Sequence, residues 1–358
     1  MVKKRLDELS AMNILLCFLV IFIHAASATV AAADKNSLQY GLLLTVWRCC
    51  SFAVQGFIFL SGVKLAMSAD KPFCYPKYLI SRILRVWIPY AIACVVYYLY
   101  LSRIGYIASD ITTLVRGILA GELVGHLYFV VVIMQFYLLA PLWRIIARRL
   151  ERAEVIIAAL IVAYFAGQLL GYNLADLLYV FNKSYIFPYG DRIFTTYLPY
   201  FIAGLAVGRN YEYIKSTAMR SLLPLGIIFT AAVSMDALLG YMHFSGKQSI
   251  YWLETAHTFY VIAAIAFVYS LAVRFGSVVM KIPTFKYIDR ASYSIYLWHP
   301  LALYICDRLI LPYSLSLTPT FLLRMLFGYV VTIAVCAAVA FVTGRLKPLI
   351  AQRFGKQS

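Results

Sequence analysis

The sequence predicts an all-α polytopic membrane protein with about ten transmembrane helices and both termini in the cytoplasm. Three observations carry that prediction. The 358-residue chain is 63% hydrophobic and only 13% charged, with a mean hydropathy of +0.82, too little polar surface for a water-soluble body of this size. Its apolar residues fall in runs of roughly 20, the length that crosses a ~30 Å hydrocarbon core as a helix. Positive charge collects on alternate connections: with the amino terminus inside, twenty-three of the 32 Lys and Arg residues are cytoplasmic, the bias that orients multi-pass proteins. An odd number of spans would scramble this alternation. The net charge of +17 therefore reflects topology, and no nucleic-acid partner is implied.

The first span, residues 11–31, reads NILLCFLVIFIHAAS around His24. An ionisable group this deep in an apolar run is costly and marks a functional position. The preceding KKR and the small residues Ala26, Ser27 and Ala28 resemble a cleavable leader, but the apolar run continues past Ala28 and further spans follow. The second span, 42–67, contains GFIFLSG, whose Ser61 lacks the glycine spacing of a nucleophile elbow and reads as a helix-packing position. The third, 84–101, is entered through SRILRVWIPY. Arg82 and Arg85, three apart, are placed on one helix face at the inner membrane surface. They are either a clamp for the phosphates of a large anionic donor such as a coenzyme A thioester, or an ordinary basic flank.

A long outer loop, 102–125, leads into span four, 126–143. Glu122 precedes His126 by four residues, a spacing at which an acid orients an imidazole on one helix face. Spans five and six, 154–170 and 195–209, flank a second long outer loop. Its Asp176, Asn182, Lys183, Tyr189, Asp191 and Arg192 suit either contact with a sugar or plain solvation. Span seven, 221–240, has Asp236 near its outer end. Span eight, 252–273, begins with Glu254 three residues before His257, a second acid–imidazole pair. His299 lies midway through span nine, 292–311, and span ten covers 321–344.

All five histidines, 24, 126, 243, 257 and 299, thus fall in or beside spans. Imidazole takes and returns a proton near neutral pH, as acyl transfer to a hydroxyl requires. The seven cysteines are odd in number and lack metal-ligand spacing, so they read as small apolar packing groups, and no metal is expected. Walker loops, HExxH pairs and GxSxG elbows are missing from the sequence. With only thirteen residues after Arg345 and no inter-domain linker, any chemistry is expected within the membrane body.

The order of short motifs resembles the acyltransferase-3 family of bacterial integral-membrane acyltransferases, the surface-polysaccharide O-acyltransferase type. The matching elements are LDELSAMNILLCFLVIFIHA, GFIFLSG, SRILRVWIPY, GHLYFVVVIMQFYLLAP, YLPYFIAGLAVG and YSIYLWHP, in family order along nearly the whole chain. The resemblance implies one membrane domain over residues 1–358, with a short cytoplasmic tail from about 345. It implies transfer of an acyl group, expected to be acetyl, from cytoplasmic acyl-CoA (acetyl-CoA) to a hydroxyl of an extracytoplasmic glycan or glycolipid, in a multi-pass protein of the cell membrane. Carried over by position, His24 is the catalytic histidine, Arg82 and Arg85 belong to the donor-binding motif, His126 matches the histidine of the fourth-span motif and His299 that before the proline of the ninth. By their spacing, Glu122 with His126 are further catalytic candidates, and Glu254 and His257 join His299 as candidates for contact with substrate. One departure stands out. The family usually has arginine eleven positions before the catalytic histidine, where this chain has Asn13. Either Arg82, Arg85 and Lys64 neutralise the donor instead, or the donor differs, or transfer has been lost. Polytopic shape and buried ionisable groups equally suit a transporter or flippase, and a non-catalytic envelope subunit is a third class.

Overall fold

The structure is a computed structural model and describes residues 6–181, 183 and 187–339. Among these the regular structure is helical, with no strand. In chain order the helices are α1 Asp7–Ala32, α2 Leu38–Cys50, α3 Ala53–Ala66, α4 Tyr75–Arg82, α5 Ile88–Arg103, α6 Ile111–Ala120, α7 Tyr128–Leu138 and α8 Ala140–Arg149. They continue with α9 Ala153–Gly167, α10 Leu174–Phe181, α11 Leu198–Arg209, α12 Tyr211–Arg220, α13 Leu222–Phe244, α14 Leu253–Val279, α15 Pro283–Ile310 and α16 Leu317–Leu326. Wider π turns at Ile83–Trp87, Gln168–Tyr172 and Phe327–Val331 extend α4, α9 and α16.

Seven described helical stretches are long and apolar enough to cross a membrane, and an eighth is the pair α7–α8 if its 68° bend lies within one span. The bend falls at Leu139, where Pro141 opens α8 because it lacks the N–H an uninterrupted helix would need. Expected span six corresponds to the 12-residue α11, which at 1.5 Å per residue covers only about 18 Å. Expected span nine lies within the 28-residue α15, whose apolar centre is bounded by Asp289–Arg290 and Asp307–Arg308. Both long loops expected on the outer side carry a short helix, α6 and α10. Asp110 caps α6 by accepting from the Thr113 amide at 2.8 Å, and that bond, with the Thr113 hydroxyl, holds its carboxyl below the usual range. Gly121 ends α6 in the left-handed region at φ 68°.

The described residues group into two compact units, one drawn from Met1–Ala53 with Ala218–Ser358 and the other from Val54–Thr217. In the first unit α1 is central and packs against α2, α14, α15 and α16. Gly276 of α14 lets the backbone of Glu8 pass 2.9 Å from where a Cβ would stand. Asp7 and Glu8 occupy the first turn of α1, where the helix dipole favours negative charge.

In the second unit α3 and α11 meet through glycines. A Cβ on Gly204 would strike the Phe59 carbonyl oxygen, one on Gly62 that of Phe201, and one on Gly208 that of Val63. Small residues at this spacing let helix backbones approach where lipid supplies no hydrophobic drive. The GFIFLSG and YFIAGLAVG segments are thus two halves of one contact. Gly204→Val is expected to separate them and to cost on the order of 2 kcal/mol through forced overpacking. Thermal unfolding of the detergent-solubilised protein, followed by labelling of its buried cysteines, would show the lowered midpoint. Nearby, Phe136 stacks on Phe201 at 4.2 Å, with Phe194 edge-on and Trp143 tilted against it. Arg144 and Arg148 satisfy the carbonyls of Ser68, Ala69 and Lys71 where α3 ends, and Arg209 pairs with Asp70 and Glu151.

Candidate active site within the membrane helices

His24 lies two-thirds of the way along α1, and its ring faces that of His299 on α15 with centroids 5.1 Å apart. The sequence at α15 explains how the second ring is held. Pro300 lacks an N–H, so the Tyr296 carbonyl four residues earlier loses its helical donor. The Nδ1 of His299 takes the vacated place, 2.9 Å from the Tyr296 oxygen and 3.1 Å from that of Ile295. A nitrogen facing two carbonyls must carry the proton, which leaves Nε2 as the basic atom of the neutral ring. The His-Pro pair is therefore a local device that selects a tautomer.

His24 is fixed through its backbone. Arg324, buried on α16, donates from Nε to the Ala25 carbonyl at 2.8 Å and from Nη2 to that of His24 at 3.0 Å, and it pairs with Asp307 of α15. Ser27 adds a hydroxyl donor to the His24 carbonyl at 2.9 Å. One guanidinium thus ties together the three helices that surround the histidine pair.

A second polar cluster sits in the same unit. Trp47 donates to the Ile23 carbonyl at 3.2 Å, and its neighbour Arg48 turns away from α1 to grip Asp236 of α13. The grip is bidentate, Nε to Oδ2 at 2.9 Å and Nη2 to Oδ1 at 2.7 Å. Gly240, one helical turn beyond Asp236, makes the slot, since a side chain there would collide with Arg48. His257 of α14 places Nδ1 3.0 Å from Asp236 Oδ1 and Nε2 3.3 Å from the Ser51 hydroxyl.

This differs from the expected pairing with Glu254, which is exposed. Asp236 reaches the ring across two packed helices, whereas Glu254 starts α14 and turns outward. Sequence reasoning missed Arg48 and Arg324, which charge counting assigned to the outer connections. Both stand inside apolar runs, so the criterion that singled out His24 also marks them.

The candidates of the second unit are arranged otherwise than their spacing suggested. Residues 121–127 form a turn after Gly121, so Glu122 and His126 share no helix face. Glu122 lies within ion-pair reach of Arg116 at 3.5 Å and of Arg192 at 3.8 Å. His126 is buried edge-on to Tyr97, centroids 5.9 Å apart. Arg192 also donates to the Ala120 carbonyl at 2.8 Å, and Gln135 bridges its carbonyl to the Phe194 amide at 2.7 and 3.1 Å. Arg192 therefore ties its loop to α6 and α7. Of the other polar residues expected in that loop, Asn182 lies outside the described residues.

Arg82 ends α4 between the rings of Tyr78 and Tyr137, at 4.9 and 4.8 Å. Its Nε has no hydrogen-bond partner among the described residues. Arg85 falls within the π turn and is exposed. The turn that starts at Ile83 is wider than an α-helical one, so α-helical spacing does not describe these two positions. At Asn13, the position of the family arginine, the amide donates to Asp289 at 2.8 Å and to the Ser292 hydroxyl at 3.0 Å, with Ser10 on the other carboxylate oxygen at 3.0 Å.

Apolar helices of spanning length, with paired imidazoles and guanidinium-held carboxylates among them, define a multi-pass membrane protein. The chain belongs to the acyltransferase-3 family, whose acyltransferase domain matches residues 6–341, and it is an acyltransferase that moves groups other than aminoacyl groups. It is similar to the "Probable poly-beta-1,6-N-acetyl-D-glucosamine export protein" of Staphylococcus aureus strain MSSA476, 24% identical over 315 residues covering 84% of this chain and 83% of the relative. The protein of the same name from Staphylococcus epidermidis is 25% identical over 307 residues, covering 84% and 82%. No solved structure matches the chain.

Proposed function

We propose that the protein transfers an acyl group, acetyl in the simplest case, from cytoplasmic acyl-CoA to a hydroxyl of an extracytoplasmic glycan at the cell membrane. The observation that carries this reading is the close pair His24–His299, ring centroids 5.1 Å apart and tilted by 52°, inside apolar helices of a family acyltransferase. The basic Nε2 of His299, set by Pro300, and the adjacent His24 ring supply acceptors for the proton that an attacking hydroxyl loses. Names of the relatives point to an amino-sugar polymer as the acceptor class. Those names equally favour a second reading, export of such a polymer through the helices.

Donor binding is assigned to Arg82 and Arg85. Arg82 offers an unused Nε–H beside two tyrosines, and Arg85 is open to an anion. Charge-assisted hydrogen bonds to phosphate are worth roughly 1.5–3 kcal/mol. Arg82→Ala is therefore expected to raise KM for acyl-CoA about 10- to 100-fold with a smaller change in kcat. An unchanged KM in membranes with equal protein would remove the arginine from the donor site. The reading as a whole is tested by NMR of isolated surface glycan from a deletion strain, with and without the restored protein. A specific ester that returns with the protein supports transfer. Polymer trapped inside deletion cells, with no ester in either strain, supports export.

A further inference from the structure

We infer that Ser51, His257 and Asp236 form a nucleophile–base–acid constellation in which Ser51 carries the acyl group as a transient ester. The inference rests on the acyl-transfer reading and adds a covalent step to it. Ser51 Oγ is 3.3 Å from His257 Nε2, and His257 Nδ1 is 3.0 Å from Asp236 Oδ1. A nucleophile bonded to a base that a third group orients is the arrangement that activates a hydroxyl. Burial runs in the matching sense, with Asp236 at 0% and Arg48 at 5% exposure while Ser51 and His257 are only half-buried. The supporting end is closed, and the reactive end keeps partial exposure.

The tautomer follows from the contacts. Arg48 Nη2 is also 3.1 Å from His257 Nδ1. A ring that accepted this bond would set its bare Nδ1 against a carboxylate oxygen at 3.0 Å, two acceptors face to face. With Nδ1–H donating to Asp236, the carboxylate takes three donors, and the bare Nε2 faces Ser51. The hydroxyl also reaches the Arg48 carbonyl at 2.6 Å, and rotation of its hydrogen moves it from that carbonyl to Nε2.

The backbone supplies an independent observation. Ser51 stands where α2 gives out near the middle of the Leu38–Ala66 span, before α3 resumes at Ala53. Irregular backbone at membrane depth is tolerated only where protein or a water-filled cavity surrounds it. Trp47, one turn earlier, is bonded to the residue before His24, so the serine cluster and the histidine pair lie close in depth within one unit.

The step balances. Ser51 Oγ attacks the carbonyl carbon of an acyl thioester and its proton passes to His257 Nε2. The C–S bond breaks, and the leaving thiolate takes that proton to become a thiol. The acceptor hydroxyl then attacks the serine ester, its proton passing to the His24–His299 pair and on to the leaving Ser51 oxygen as the C–O bond to Ser51 breaks.

The test uses the full chain in lipid nanodiscs with radiolabelled acetyl-CoA and no acceptor, quenched in acid and mapped by peptide mass spectrometry, beside glycan NMR of the same variants in cells. We expect label on the Ser51 peptide that survives neutral hydroxylamine, as an oxyester does, and that persists in Cys49→Ala/Cys50→Ala. Ser51→Ala and His257→Ala lose the label and at least about 100-fold of transfer, while Ser51→Cys takes a label that hydroxylamine removes. Undiminished glycan ester in Ser51→Ala, or wild-type transfer with Ser51 never labelled, overturns the covalent step and leaves acyl transfer standing. Labelled Ser51 in a strain that forms no glycan ester upholds the step and overturns the acceptor. Neither label nor ester overturns both.

Discussion

His24→Ala is expected to lower glycan esterification by about 10²- to 10⁴-fold, the usual contribution of a positioned general base. Membrane abundance is expected to stay at the wild-type level. The two expectations are separable because α1 is held at this level by backbone bonds. Arg324 and Ser27 donate to the carbonyls of residues 24 and 25, which any side chain at 24 preserves. Loss of the ring removes the partner of His299 without unpinning the helix. His24→Gln, which keeps a polar side chain but no titratable nitrogen, is expected to be as inactive as His24→Ala. The check is ester content by NMR, normalised to protein in washed membranes. Full ester in His24→Ala would take the histidine out of the chemistry.

The second large effect concerns stability. Arg48→Leu leaves the fully buried Asp236 carboxylate without its bidentate guanidinium partner. Breaking one side of a buried ion pair costs about 3–5 kcal/mol, because the remaining charge is uncompensated. Arg48→Leu is therefore expected to reach the membrane poorly and to unfold at markedly lower temperature. Arg48→Leu/Asp236→Leu removes both charges together and is expected to recover most of the loss, since an apolar pair in place of an ion pair is often neutral or better. Thermal midpoints of the two variants in one detergent decide the matter. A single variant as stable as wild type would mean that the pair contributes nothing to the fold. Because the double variant also lacks the orienting carboxylate of His257, it separates a stable fold from a competent one.

The helical architecture was legible in the chain because lipid imposes it. Backbone groups in hydrocarbon must bond within their own segment, so apolar runs of spanning length read directly as helices. His24 was legible for the same reason, as a polar exception in such a run. The pairing of His24 with His299 was not, since 275 residues separate them and no local pattern records which helices pack together. Motif order placed both residues in a known family, but only packing of α15 against α1 brought the rings together.

Spacing misled where the helix was not regular. Glu122 and His126 were read on an ideal turn, yet Gly121 takes a left-handed conformation that ends α6 just before them. Arg82 and Arg85 were read the same way, and Arg85 falls inside a π turn that begins at Ile83.

By itself, then, the sequence determined that the chain is a multi-pass helical protein and that it belongs among the acyltransferases, and it singled out His24 and the His299–Pro300 pair as candidates. Helix length, hydropathy and the missing N–H of proline are local properties of neighbouring residues. Only the tertiary structure decided which charges are compensated. Asp236 answers to Arg48 and His257 rather than being isolated, Arg324 serves the backbone of α1 rather than an outer surface, and Asn13 answers to Asp289. A buried charge must be satisfied by groups that reach it in space, and three-dimensional packing selects those groups without regard to their distance along the chain.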